Sequence, residues 1–196
     1  MFAIIVYNIL HQKPLLVSEA LDLTKWNIFV RNSVKEYMRF ITRELASRYS
    51  SENYQIFEYQ PENIDITFNA HCKSNTKYCA IIITENDYKQ SVAIEVLRKT
   101  LFNIEKSIHS DVIKDINVDC GLKELLAKYK TGEDKIDEIQ KDLDETKEVM
   151  VQNVNKLLER GEKIEDLINK SEDLSYSSKA FSKRTKELNR WCCQII

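Results

Sequence analysis

From Ile136 to Leu188 the chain places its key residues in alternating steps of three and four, and this seam constrains it more than any other feature. The positions are Ile136, Ile139, Leu143, Thr146, Met150, Asn153, Leu157, Arg160, Ile164, Leu167, Ser171, Leu174, Ser178, Phe181, Thr185 and Leu188. Ten of the sixteen are apolar, and the others are small or polar except Arg160, with seven layers before it and eight after. A heptad pattern of this length predicts a coiled coil rather than a helix of a globular core. A guanidinium inside such a seam is costly unless partner helices supply acceptors for its five N–H groups. The apolar steps resume in the same frame on both sides, so the arginine interrupts nothing. Gly161, next to it, costs about 1 kcal/mol relative to alanine inside a helix, so the helix depends on association. The seam therefore specifies a register and a partner.

Charge along this region is uneven. Residues 133–148 carry eight acids and three lysines, whereas residues 179–190 carry five bases (Lys179, Lys183, Arg184, Lys186, Arg190) and Glu187 alone. The basic end suits the negative pole of the helix dipole and an anionic membrane surface. The whole-chain net charge of -2 gives no reason to expect nucleic acid as a partner. The segment ends in Trp191-Cys192-Cys193-Gln194-Ile195-Ile196, where Cys193 fits the C-a-a-X prenylation pattern. No apolar stretch reaches the roughly 18 residues that would span a bilayer. A single lipid chain anchors only marginally. Cys192 is therefore the candidate for a second lipid, palmitoyl or a second prenyl, beside an isoprenoid on Cys193. No other cofactor and no metal is expected. Cys72, Cys79 and Cys120 read as buried thiols of a reducing compartment, since Met1 to Leu10 lacks the features of a secretory signal. His71 beside Cys72 has no second pair at ligand spacing to make a metal site.

Residues 1–110 read as an α+β domain. Phe2 to Leu10 is an apolar run suited to a strand covered on both faces, and Leu15 to Leu23 completes a hairpin. Ser33-x-x-Glu36 predicts a capping box opening a helix whose stripe is Val34, Tyr37, Met38, Ile41 and Leu45. Strands are expected at Tyr54 to Tyr59, Ile64 to Phe68 and Tyr78 to Thr84. A second helix is expected over Gln90 to His109, with Ala93, Leu97, Leu101, Ile104 and Ile108 as its stripe. The order ββαβββα implies a mostly antiparallel five-stranded sheet with helices packed on it. Phe40 lies to the side of the first helix's stripe. It reads either as a lone surface aromatic or, beside Tyr37, as a docking point for something apolar. Residues 111–131 form a linker with a short helical pattern, 132–191 the coiled-coil segment, and 192–196 the lipidation motif.

No glycine precedes Gly121, so residues 1–110 hold no glycine loop of the kind that cradles phosphates. A prenylated small GTPase is thereby excluded, and no nucleophile–base constellation suggests catalysis. The stretch Leu157-Leu158-Glu159-Arg160-Gly161-Glu162-Lys163 resembles the centre of an R-SNARE. Leu143 to Lys147, Ser178 to Phe181 and the Cys-Cys end resemble the prenylated longin R-SNAREs of the YKT type, synaptobrevin homologues. Ser33 to Met38 with Phe40 is similar to the first longin helix, and Ile82 to Tyr88 with Val92-Ala93 to that domain's strand-to-helix junction. The chain departs from the family at Lys89, usually proline, and across residues 105–120.

The resemblance implies an R-SNARE that joins three glutamine-bearing helices of Q-SNAREs, syntaxin-like and others, in a parallel four-helix bundle between vesicle and target membranes. Arg160 would take the ionic layer. Ile136, Ile139, Leu143, Met150, Leu157, Ile164, Leu167, Leu174, Phe181 and Leu188 would fill apolar layers. It also implies ER–Golgi, Golgi and endosomal transport and interaction with the SNARE disassembly machinery. The protein would be cytoplasmic and lipid-anchored on the cytosolic face of Golgi, ER, vesicle and endosomal membranes. The longin domain, with a groove at Phe40 and Tyr37, would fold back on the SNARE segment, shelter the lipid and restrain assembly. Two other readings use the same residues: a lipid-anchored coiled-coil tether without fusion activity, and a trafficking regulator built on the longin domain alone.

Overall fold

The structure is a computed structural model that describes residues 1–49, 51–60, 67–108, 118–132, 149–158 and 162–180. Its centre is a sheet of β1 (Ala3–Asn8), β2 (Leu15–Leu21), β3 (Gln55–Tyr59), β4 (Phe68–Ser74), β5 (Tyr78–Thr84) and β6 (Gln152–Asn153), in the order β2-β1-β5-β4-β3-β6. The first five pair antiparallel, whereas β6 runs parallel to β3. Helix α1 (Arg31–Arg48) covers one face, and α2 (Gln90–Ser107) with α3 (Leu122–Lys128) covers the other. The apolar run of β1 is explained by this sandwiching: Ala3, Ile5 and Tyr7 enter the α1 core, while Ile4 and Val6 enter the α2 core. Tyr7 also ties α1 to the sheet, its hydroxyl donating to the Arg39 carbonyl at 2.9 Å and lying 3.0 Å from Thr42 Oγ1.

The α+β class, the order of the first seven elements and the two helical stripes agree with the sequence reading, while three features differ, the first being a sixth, parallel strand that the heptad segment adds where five strands were expected. The expected capping box does not form: α1 begins at Arg31 behind Val30, without a side-chain cap, and places Ser33 inside its first turn. Glu36 is thereby freed for another use. The fourth strand starts at Phe68, where the expected one ended; Ile64 and Ile66 lie outside the described residues. Polar residues at alternate positions of β4 hid it, because a buried polar side chain is tolerated only where partners satisfy it. His71 is such a case, with Nδ1 2.6 Å from the Tyr54 hydroxyl and Nε2 2.8 Å from Thr84 Oγ1. The short helix expected within the linker is packed. Leu122, Leu126 and Tyr129 are buried, and Val118 N–H donates to the Val17 carbonyl at 2.9 Å, closing part of the free edge of β2. Gly121 and Gly132 bracket it at φ +70° and +71°, and a Cβ on Gly132 would meet the Tyr88 ring at 2.9 Å. At Lys89 the backbone holds φ −64° and ψ 129°, angles a proline also adopts, so the family's usual residue would fit.

Both ring nitrogens of His71 are engaged, and Cys72, next along the strand, points into the opposite core. The two side chains therefore face opposite sides of the sheet. Burial lowers the His71 pKa to about 3. The unfolded chain takes up a proton near pH 6.5 while the folded chain does not, so stability falls as pH drops below that value. Urea unfolding at pH 7 and pH 5 should differ by about 2 kcal/mol from this group, and His71→Gln should remove that part of the pH dependence.

Candidate functional site

The candidate site is the outer face of α1 and the neighbouring β3 edge, together with the part of the heptad segment that covers them. In the described residues this segment is not one helix. It runs as β6, a 3-10 turn (Val154–Leu157), then α4 (Ile164–Lys170) and a further helical turn at 176–180. Val149 packs beside the α2 core, whereas Val154, Ile164, Ile168 and Leu174 belong to the α1 core. The segment thus passes around the β3 edge from one face of the sheet to the other. Strand pairing holds the crossing, with Phe57 opposite Gln152 and Glu58 opposite Asn153. Alone, the segment buries its apolar residues on the nearest apolar surface and bends to do so.

Phe40 is 5% exposed although it lies off the α1 stripe that faces the sheet, because this second layer covers it. It lines a cleft of about 470 Å3 with Pro14, Arg43, Leu167 and Asp173. Tyr37 sits deeper, its hydroxyl paired with that of Tyr59, and burial raises its pKa well above the usual tyrosine value. Between α1 and the sheet lies an apolar cavity of only about 30 Å3, with Trp26, Tyr37, Tyr59, Phe68 and Val154 among its walls. It has room for no more than a water or two, so Val154 seals the groove rather than leaving it open.

Polar contacts fix the segment at three places. Gln90 clamps the Val149 backbone, its Nε2 donating to the carbonyl and its Oε1 accepting from the N–H, each at 3.3 Å. Asp173 accepts from Lys13 at 3.2 Å and Arg43 at 2.7 Å. Glu36 accepts from the Ser175 and Ser178 hydroxyls at 2.6 Å each and from Ser175 N–H at 3.3 Å. These bonds hold the Glu36 carboxyl below the usual glutamate value, Ser175 contributing most. Asp173 is shifted the same way, first by Lys13 and then by Arg43. Both groups favour docking above the ordinary carboxylate range and lose that effect as pH falls below about 4. They are largely solvated, which limits each to about 1 kcal/mol. Glu36→Ala should therefore loosen residues 175–178 about fivefold at pH 7, measured by hydrogen exchange of that stretch.

Of the seam residues, Ile164 and Leu174 are buried in the α1 core, Leu157 and Leu167 are half-buried against it, and Met150 is 72% exposed. Ile136, Ile139, Leu143, Arg160, Phe181, Leu188, Cys192 and Cys193 lie outside the described residues. The seam overlooked Val154 and Ile168, which are both 2% exposed or less. A signal for Ile168 exists in the doubled apolar pair Leu167-Ile168: a seam for one bundle needs one residue per layer, and the second implies another apolar contact. Among the described residues no helix is long and apolar enough to cross a membrane, and no cluster of three or more His, Cys, Asp or Glu residues could hold a metal ion.

The synaptobrevin family model matches residues 135–194, a range that includes the whole seam and both terminal cysteines. Over nearly its whole length the chain is similar to full-length relatives. It is 32% identical to "Synaptobrevin homolog YKT6" of Saccharomyces cerevisiae over 195 residues, covering 94% of each chain. It is 31% identical to "VAMP-like protein YKT61" of Arabidopsis thaliana over 189 residues, covering 93% of this chain and 92% of that protein. A similar match, 32% identity over 189 residues and 93% of both chains, links it to "Synaptobrevin homolog ykt6" of Schizosaccharomyces pombe. An α+β domain followed by a heptad segment, matched over nearly the whole chain at this identity, places the chain in the YKT6-type synaptobrevin homologues, a family of R-SNAREs.

Proposed function

We propose that this protein drives vesicle docking and membrane fusion as the arginine-bearing member of a four-helix bundle, and that its own α+β domain restrains it. The observation that carries the reading is a shared surface. Ile164 and Leu174, buried against the domain, and Leu157 and Leu167, half-buried there, are residues the bundle seam requires. They cannot face the domain and three partner helices at once, so closure and assembly compete. On this reading Arg160 donates to three glutamine side chains supplied by partners. An isoprenoid on Cys193 and a second lipid on Cys192 anchor the chain to the cytosolic face of Golgi, ER, vesicle or endosomal membranes. When the chain is closed and soluble, the isoprenoid lies in the cleft beside Phe40, since the sealed cavity under α1 is too small for it. Disassembly of the bundle by the cell's SNARE disassembly machinery returns the chain to this state.

The test is reconstitution. Lipidated protein on one vesicle population and the three glutamine-bearing helices on another should give lipid mixing that requires all four helices. Vesicles that cluster stably without mixing lipids would instead identify a lipid-anchored tether.

A further inference from the structure

The loop between β2 and α1 carries the most exposed large apolar residue of the described chain. Phe29 is 90% exposed and its neighbour Ile28 is 70% exposed, with the covering segment in place. The loop is held rigidly at its base. Asp22 Oδ1 accepts from Thr24 N–H at 3.0 Å, Trp26 N–H donates to the Leu23 carbonyl at 3.1 Å, and Val30 N–H donates to the Asn27 carbonyl at 3.0 Å. The Trp26 ring packs edge-on against Phe2, with centroids 5.0 Å apart. The Arg31 Nε closes the loop by donating to the Trp26 carbonyl at 3.0 Å. Two large apolar side chains are thus presented to water by an ordered turn. Neither lines any pocket described for the chain, so they form a protruding tip rather than the wall of a groove.

We propose that this tip inserts into the interfacial layer of a phospholipid bilayer, giving the protein a membrane contact separate from its C-terminal end. Three features favour lipid over a protein partner. The apolar surface is convex and confined to two consecutive residues, a shape suited to a fluid interface. Arg31, two residues beyond Phe29, adds a cation of the kind that meets head-group phosphates. Two acids at the base of the loop are paired, Glu85 with Lys25 and Asp22 with Lys130. Insertion depends on apolar contact first and on lipid charge second. Because Ile28 and Phe29 are exposed in the closed form, the contact precedes release of the segment and brings the domain to the surface on which its bundle would assemble.

Vesicle flotation of the full-length chain tests the idea. Cys192→Ser and Cys193→Ser are included throughout, so that no lipid anchor contributes. Phosphatidylcholine vesicles, with and without phosphatidylserine, should both carry the protein upward, the anionic ones more strongly. Phe29→Asp and Ile28→Asp should each lower the partition coefficient at least tenfold on either vesicle, with unchanged thermal melting because both side chains are exposed. Phe29→Leu should retain binding, since the interface reads apolarity and not an aromatic ring. Absence of binding by the parent chain, or equal binding by parent and Phe29→Asp, would overturn the proposal. So would binding confined to phosphatidylserine vesicles and indifferent to Ile28→Asp, which would place the contact on basic residues elsewhere. None of these outcomes bears on lipid mixing by the bundle, so this test and the reconstitution can fail independently.

Discussion

Phe40→Glu should open the protein. In the closed form the new carboxylate would sit under Leu167 in a core that includes Ile164, Ile168 and Leu174. Truncating a buried phenylalanine alone costs about 3–5 kcal/mol. The domain need not bear this cost. Phe40 lies off the sheet-facing stripe of α1, so once the segment leaves, the carboxylate is solvated. At about 3 kcal/mol the closed population falls by roughly a hundredfold relative to the open one. Hydrogen exchange of residues 152–180 should accelerate accordingly, while β1, β5 and α2 keep their protection. Ile168→Glu, which places the charge on the segment instead, should give the same exchange pattern. If residues 152–180 stay protected in both variants, the closed form does not depend on this contact. If protection is lost across the sheet as well, Phe40 belongs to the domain's own core.

Much of the domain is legible because its pattern is local. A continuous apolar run such as β1 can be satisfied only by cover on both faces, and the stripes of α1 and α2 each point to one of them. What escapes a local reading is whatever depends on a second layer. Phe40 has no place on its own helix's inner stripe, and only the returning segment explains its burial. Ser33 and Glu36 have the spacing of a capping box, but Glu36 binds Ser175 and Ser178, more than 130 residues away. On the proposed reading, the heptad frame describes the partner-bound state of residues 149–180. The closed state buries Val154, Ile164, Ile168, Leu174 and Ser178 at irregular intervals, because the segment follows the contours of α1 and β3 and not a neighbouring helix. One sequence thus carries two sets of contacts, and only the periodic set shows as a pattern. The off-seam apolar residues are the trace of the other.

Arg160→Leu should weaken assembly more than it changes any other property. On the proposed reading, the arginine satisfies three glutamine amides inside a seam that is otherwise apolar. Leucine suits such a seam better than arginine, so a simple two- or three-stranded association of this chain with itself would tighten. The glutamines are the groups that lose. Each buried amide left without a partner costs about 1–3 kcal/mol, and three of them cost at least about 3 kcal/mol in the correct register. Assembly with three glutamine-bearing helices should therefore fall by roughly a hundredfold. The bundle that does form should populate slipped registers, because the layer that distinguished them is gone. Arg160→Gln should be milder, since four amides can pair among themselves. Affinity measured by titration, and register measured by cross-linking between Leu157 or Ile164 and the partner layers, separate these outcomes. Unchanged affinity and unchanged register in the leucine variant would remove Arg160 from the ionic layer. Stronger self-association without any weakening toward glutamine helices would instead favour the tether.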